Sequence, residues 1–383
     1  MKSKHIYKSI ACGVLLALTA TSCDLDYNPV DSYSDVTEGV DKTDEKPIFN
    51  SVQDVETSMV TLHKKFRDQQ EHWYVDKLLI GDAHSDNAYA GTTGAEVVPY
   101  ETNSIEGSNS VLKRDWDRFL GDIAEANRII VGCEQLKALS DSERDKYQSQ
   151  AKIFRAMVMF DMVRLWGNFP VITTVGGDIT EDNVEEMYPT YFPPQNTAEE
   201  AYAQIEKDLT EAVENPNTPT NDASDKSILT KSVARAMLAK VYAEKPLRDY
   251  AKVIKYADEL AADGFDLVEE FSDLWDYDTA KKDCRVRNTK EAILEAHFPP
   301  GSGNWCTWMF GRNLSNWDES FTWAKWITPS RDLIRLYEEQ GDTKRYNESV
   351  VWYECGWSNY YPADHYAFMY KCRSAFNSII YLR

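Results

Sequence analysis

The sequence predicts a mostly α fold, built from antiparallel helix pairs of the tetratricopeptide kind with few short strands. Three observations carry that prediction. Apolar residues recur with a helical period through the middle of the chain, Pro and Gly punctuate the ends of the periodic segments, and small residues line up where they let neighbouring helices approach closely. A chain of 383 residues with 43% hydrophobic content can bury a sizeable core, which excludes disorder and miniature disulfide scaffolds.

Taken in order, residues 142–166 place Ile153, Ala156, Met157, Phe160 and Val163 on one helical face, and Gly167 and Pro170 stop the helix. Residues 198–213 start at Thr197, with Glu199 and Glu200 in a first turn where acids suit the helix dipole, and stop at Asn215-Pro216. A third helix over 229–243 stacks Ala236, Ala239 and Ala243 on one stripe, and after Pro246 a fourth runs over 249–262 to Gly264. No strict repeat period survives, the nearest repeated phrase being Arg155-Ala156-Met157 against Arg235-Ala236-Met237. The connection over 171–196, with Pro189, Pro193 and Pro194, predicts a long loop that is functional or packed as a surface layer. From about Lys282 the texture changes to short apolar pieces such as 292–298 and then to a stretch rich in Gly, Trp and Tyr, with one clear helix over 329–339. The final run Ile379-Ile380-Tyr381-Leu382-Arg383 reads as a cut end, because termini are normally polar.

At the amino terminus, Lys2, Lys4 and Lys8 precede an apolar stretch from Ile10 to Ala20 that is too short to span a bilayer, the pattern of an export signal. Ala20, Thr21 and Ser22 lead to Cys23, which looks like the diacylated cysteine of a bacterial lipoprotein; Ala20 stands where Leu is usual, so ordinary signal cleavage is the lesser reading. The chain then divides into a signal over 1–22, an acidic tether over 23–47, a helical region over 48–264 and a loop-rich, Trp-rich region over 265–383 that reads as truncated. Lys and Arg number 42 against 63 Asp and Glu, a net charge of −21 that repels phosphate backbones and makes nucleic acid a poor partner. Past Cys23 the cysteines are Cys133, Cys284, Cys306, Cys355 and Cys372, an odd set without a C-x-x-C, which predicts buried free thiols rather than a disulfide framework or a zinc ribbon.

The stretch from Ala151-Lys152-Ile153-Phe154-Arg155-Ala156 through Arg164-Leu165-Trp166-Gly167-Asn168-Phe169-Pro170-Val171 resembles the signature of the SusD/RagB family of outer-membrane nutrient-binding lipoproteins. Asp26-Tyr27-Asn28-Pro29, Gly81-Asp82 with Asp86-Asn87, Asp249-Tyr250-Ala251, Ala292-Ile293-Leu294-Glu295-Ala296, and the helix to Tyr337 with Gly341-Asp342 and Arg345 agree with it. The resemblance implies a right-handed solenoid of tetratricopeptide-like pairs supporting a loop-rich ligand-binding face, anchored by a lipid on Cys23 at the cell surface. It implies capture of glycans, less often peptides, without catalysis or cofactor, and delivery to a SusC-like TonB-dependent transporter. Family members continue past a motif like Ile380-Tyr381-Leu382-Arg383.

Seven of the eleven Trp lie between residues 300 and 360: Trp305, Trp308, Trp317, Trp323, Trp326, Trp352 and Trp357. A Trp ring has few torsions to freeze and can stack on the C–H face of a pyranose, so Trp305, Trp308 and Trp317 are candidate ligand contacts. Asn313 and Asn316 beside them can hydrogen-bond sugar hydroxyls, whereas Trp323 and Trp326 are read as core beneath the next helix. Trp73, Asp82, Asp86, Asn87 and Tyr89 form a second candidate patch, since the family often draws ligand contacts from its early loops; a cation between Asp82 and Asp86 is the lesser reading. His63, His72 and His84 fit no metal spacing, and the chain lacks H-E-x-x-H, G-x-S-x-G, Walker A and G-x-G-x-x-G motifs. A peptide-capturing relative or a scaffold subunit of the same transporter is the first rival reading, and a glycoside hydrolase using two of the many carboxylates is the third.

Overall fold

In the computed structural model the described residues are 47–91, 94–177, 181, 183–244, 246–278, 280, 283–298, 326–353 and 366–369. The expectations for the signal, Cys23, the tether, the Trp305 to Trp323 stretch and the apolar end lie outside them. The helical body begins at Ile48.

Its first helix, α1 (Val52–Asp68), opens with a capping box in which Ser51 accepts the Asp54 amide and the Asp54 carboxylate accepts the Asn50 and Ser51 amides. Val55, Met59, Leu62 and Phe66 form its buried face. The chain continues through a π-helical turn (Glu71–Val75), a short helix α2 (Asp76–Leu78) and a second π-helical turn (Leu79–Ala83). Strand β1 (Ala88–Ala90) and helix α3 (Val98–Glu101) lead to α4 (Ser110–Gln135) and α5 (Asp141–Trp166). Within α4, Gly132 is needed for close approach, because a Cβ there would lie 2.4 Å from the Phe49 ring.

Helix α5 is the centre of the stack. It is buried nearly all round, with Ile153, Phe154, Ala156, Val158, Met159, Phe160 and Met162 all inside, and it ends at Gly167, whose φ of +73° suits glycine. Helices α4 and α5 pack on each other, α7 (Ala198–Glu214) packs on α5, α8 (Lys231–Ala243) on α7, and α9 (Tyr250–Ala262) on α8. This mostly helical, tetratricopeptide-like stack is the expected fold. Three details differ. The connection over 171–196 holds a helix, α6 (Val184–Tyr191), and is closed by a bridge between Phe169 and Asn196. The buried face of α8 is Val233, Ala234, Leu238, Val241 and Tyr242; of the alanine stripe, Ala236 and Ala239 are half-buried, Ala239 against the core, and Ala243 is exposed. The late helix α10 (Arg331–Gln340) starts after Ser330, because Ile327–Pro329 is already committed to strand β4.

Beyond α9 the described chain forms two short antiparallel pairs, β2 (Tyr277–Asp278) with β3 (Asp283–Cys284) and β5 (Val350–Tyr353) with β6 (Tyr366–Met369). Between α10 and β5 lies α11 (Thr343–Ser349). Over 292–298 the chain bends at Ile293 and Leu294 and forms no strand, yet Ala292, Leu294, Ala296 and Phe298 are buried, with Glu295 among them. Cys133 and Cys284 are both buried, and burial pushes the Cys133 thiol up to about 12, which leaves it protonated and inert.

Candidate functional site

The loop after the second π-helical turn is fixed at both ends. On one side His72, Trp73, Tyr74 and Val75 are buried in succession, and Phe66, Phe119 and Phe154 close around the Trp73 ring with centroids 4.8, 6.4 and 5.4 Å away. On the other side β1 pairs antiparallel with β4 in the register Ala88 to Pro329, Tyr89 to Thr328 and Ala90 to Ile327. Between them Ser85 turns the chain, its amide and hydroxyl both donating to the Asp82 carbonyl.

Late residues clamp this early loop. The Ser330 amide donates to the Asn87 carbonyl at 3.0 Å, the Ser330 hydroxyl donates to the Asp86 carbonyl, and the Gly91 amide donates to the Trp326 carbonyl. The Tyr89 hydroxyl accepts the Arg331 amide at 3.2 Å, and the Glu101 carboxylate accepts the Ala90 amide at 2.7 Å. The main-chain carbonyls of Asp86 and Asn87 are therefore consumed by the clamp, while both side chains stand exposed. Asp82 and Tyr89 are half-buried beside them. On the same loop the exposed His84 lies 2.6 Å from Asn103 Oδ1, and Asn103 adopts a left-handed φ of +53°.

Of the early patch, then, Asp82, Asp86, Asn87 and Tyr89 share one short loop, and Trp73 does not belong with them. Its ring is 1% exposed in the aromatic core, with the Lys77 ammonium 4.7 Å from the ring, so it cannot present a stacking face to a ligand. Trp305, Trp308, Trp317, Asn313 and Asn316 lie outside the described residues. Trp326 is half-buried against the core, as a packing residue. Among the described residues no cluster of three or more His, Cys, Asp or Glu is arranged to hold a metal ion.

Two polar networks were not read from sequence. In one, Asp122 is fully buried between Lys65, at 2.8 Å, and His72 Nε2, also at 2.8 Å; burial pushes the imidazole below its ordinary value against the pull of Asp122. In the other, Asp76 and Asp115 lie buried beside Arg114. Both were invisible because a buried Asp on a helix is spelled like a solvated one.

Among known proteins, the family profile described as "Starch-binding associating with outer membrane", of the SusD-like group, matches residues 31–243. A SusD-like protein of Bacteroides ovatus is 25% identical over 318 residues, covering 80% of this chain; the chain spans about half of that relative, 51% of its length. In fold the chain is similar to a surface glycan-binding protein A from Bacteroides fluxus, with a TM-score of 0.65, 19% identity, and coverage of 85% of this chain and 69% of the other. A laminarin-binding SusD-like protein gives a TM-score of 0.65 at 19% identity, covering 85% of this chain and 73% of the other. Surface glycan-binding protein A from Bacteroides thetaiotaomicron, solved with laminarihexaose, gives 0.65 at 15% identity, covering 84% and 71%. A profile match across more than half the sequence, on the helical stack those structures share, makes this chain a member of the SusD-like family.

Proposed function

We propose that this chain is a cell-surface lipoprotein that captures oligo- or polysaccharide and passes it to a TonB-dependent outer-membrane transporter, without cleaving it. The observation that carries the reading is the clamp: Asp86 and Asn87 spend their main-chain carbonyls on Ser330, the residue that follows strand β4 after the Trp-rich stretch, and keep their side chains in solvent. A carboxylate and an amide held on a rigid turn hydrogen-bond sugar hydroxyls without first losing loop entropy. Trp305, Trp308 and Trp317 supply stacking rings in this reading, Asn313 and Asn316 further hydrogen bonds, and Asp82 and Tyr89 the edge of the early loop. Membership of a starch-binding family, and fold neighbours named for glycan and laminarin binding, support carbohydrate as the ligand. An acidic surface favours neutral over anionic polymers. Cys23 anchors the chain through lipid, and a SusC-like transporter is the partner.

Affinity electrophoresis against a polysaccharide panel that includes starch and laminarin tests this. Retardation by at least one polymer, without new reducing ends, is the expected result, and Asp86→Ala with Asn87→Ala weakens it. Release of product points instead to a glycoside hydrolase. No retardation by any polymer, with a peptide pool retained, points to the peptide-capturing reading.

A further inference from the structure

Two aspartates on different elements lie out of water beside the same arginine, Arg114. Asp76, in α2 between the two π-helical turns, is 0% exposed, and Asp115, on α4, is 1% exposed. One full charge stands close to them: Arg114 donates to Asp76 Oδ2, and its Nε lies 3.7 Å from Asp115 Oδ1. The neighbouring Arg118 is spent on Glu71, with Nη1 2.8 Å from Oε2. Neither Asp76 Oδ1 nor Asp115 Oδ1 receives a hydrogen bond from a donor among the described residues. Two buried carboxylates that share one guanidinium would repel if both were ionised, and each orphan oxygen would keep its desolvation cost.

We propose that Asp115 is a neutral carboxylic acid in the folded protein and donates its proton to the Asp76 carboxylate, locking the π-helical segment that carries the ligand loop to helix α4. One proton satisfies both orphan oxygens and leaves a single negative charge for Arg114. The charged and titratable groups around Asp115 are Asp76 from α2, Tyr100 from α3, and Arg114 and Arg118 from its own helix, with Glu71 paired to Arg118. Burial first, and the Asp76 charge second, hold the Asp115 carboxyl up to about 9, against the pull of the two arginines. The Tyr100 hydroxyl, fully buried and donating to Asn109 at 3.3 Å, is pushed up by the same burial and the same two acids and stays neutral throughout. The lock holds whatever the loop binds.

Such a lock has a definite linkage signature. A carboxyl raised in the folded state binds a proton that the unfolded chain has released, so folding weakens as pH rises from the ordinary Asp range and levels off only once the folded group ionises. Asp115→Asn keeps the N–H donor toward Asp76 and removes the titration. The ratio of wild-type to Asp115→Asn folding constants should fall about tenfold per pH unit between roughly pH 5 and 8 and flatten above about 9. Urea unfolding of both proteins over that range reads it. Infrared spectroscopy of the wild type gives a second, independent readout that needs no variant to fold: a protonated-carboxyl C=O band persisting at pH 7 and disappearing near pH 9. A ratio that does not move with pH, or a wild type without that band at pH 7, overturns the proposal.

Discussion

Arg155 lies 4% exposed in the middle of the helical stack, and its guanidinium joins three helices: Nε and Nη2 donate to the two Asp208 oxygens of α7 at 2.8 and 2.7 Å, and Nη1 donates to Asn127 of α4 at 2.6 Å. Asn127 in turn donates to the carbonyls of Ile172 and Thr174, which fixes where the chain leaves α5. Removing one partner of such a pair leaves the other charge buried and unpaired, so Arg155→Met should cost about 3 to 5 kcal/mol of stability. Arg155→Met combined with Asp208→Leu should recover much of that loss, because no charge is then stranded. Urea unfolding of the single and double variants decides; a single variant within ~1 kcal/mol of wild type would count against the network. The same scale separates two kinds of tryptophan. Trp73→Ala empties a core site and should cost about 3 to 5 kcal/mol, whereas Trp305→Ala, Trp308→Ala or Trp317→Ala should leave the melting temperature nearly unchanged and weaken glycan affinity about tenfold. Calorimetry beside affinity electrophoresis checks both, and a melting-temperature drop for all three would make that cluster packing. Sequence grouped Trp73 with the ligand loop because the family resemblance points to early loops as a source of ligand contacts, which does not separate a core ring from an exposed one. The cue that could have placed it inward is the unbroken buried run from His72 to Val75, whose turns wind too wide for the ordinary helical period to show.

Helix termini were the most legible elements, since capping chemistry is local and spelled in single letters. Thr197 is the N-cap read from sequence, its hydroxyl accepting the Glu200 amide at 3.3 Å while Glu200 accepts the Thr197 amide at 2.8 Å. Thr197→Ala should therefore cost about 1 kcal/mol, with Thr197→Ser close to neutral. Thermal denaturation of the pair reads it, and equal losses in both would point to side-chain packing instead of the cap. Helix α4 was illegible for a different reason. Its buried face runs through Val111, Asp115, Phe119, Asp122, Ile123, Ala126, Asn127, Ile129, Gly132 and Cys133, so two aspartates and an asparagine interrupt the periodic apolar stripe that is sought. Those residues are buried because each meets a partner from another element, which no local pattern records. Helix α6 was hidden in turn by Pro189 and by surroundings with the composition of a loop. The early loop was legible as a candidate from its residue types; its clamp was not, because Ser330 and Asp86 stand 244 residues apart.

At the scale of the whole molecule, the buried titratable groups act on stability from opposite sides of neutrality. Burial lowers His63 and His72 below their ordinary value of about 6.5, so the unfolded chain takes up protons that the folded chain refuses. Each of these two groups adds stability as pH rises from its folded value to about 6.5, and adds nothing further above it. Asp115 works the other way, raised to about 9, and draws stability down by one proton's worth from the ordinary Asp range up to that value. Where all three windows overlap, two histidines outweigh one aspartate and their sum climbs with pH; above about 6.5, of these three groups only the aspartate still contributes, and its contribution falls. The net charge of −21 tilts the alkaline side further, since ionised acids repel one another more in the compact state. The urea midpoint should therefore pass through a maximum between about pH 6 and 7 and decline toward pH 9. His72→Gln should flatten the acid limb, whereas Asp115→Asn should flatten the alkaline one, and added salt should relieve the charge repulsion but leave the Asp115 contribution in place, because a fully buried pair is screened far less than surface charge. A midpoint that rises steadily from pH 7 to 9, or an alkaline limb abolished by salt alone, would show that surface charge and not the buried acid pair sets the profile.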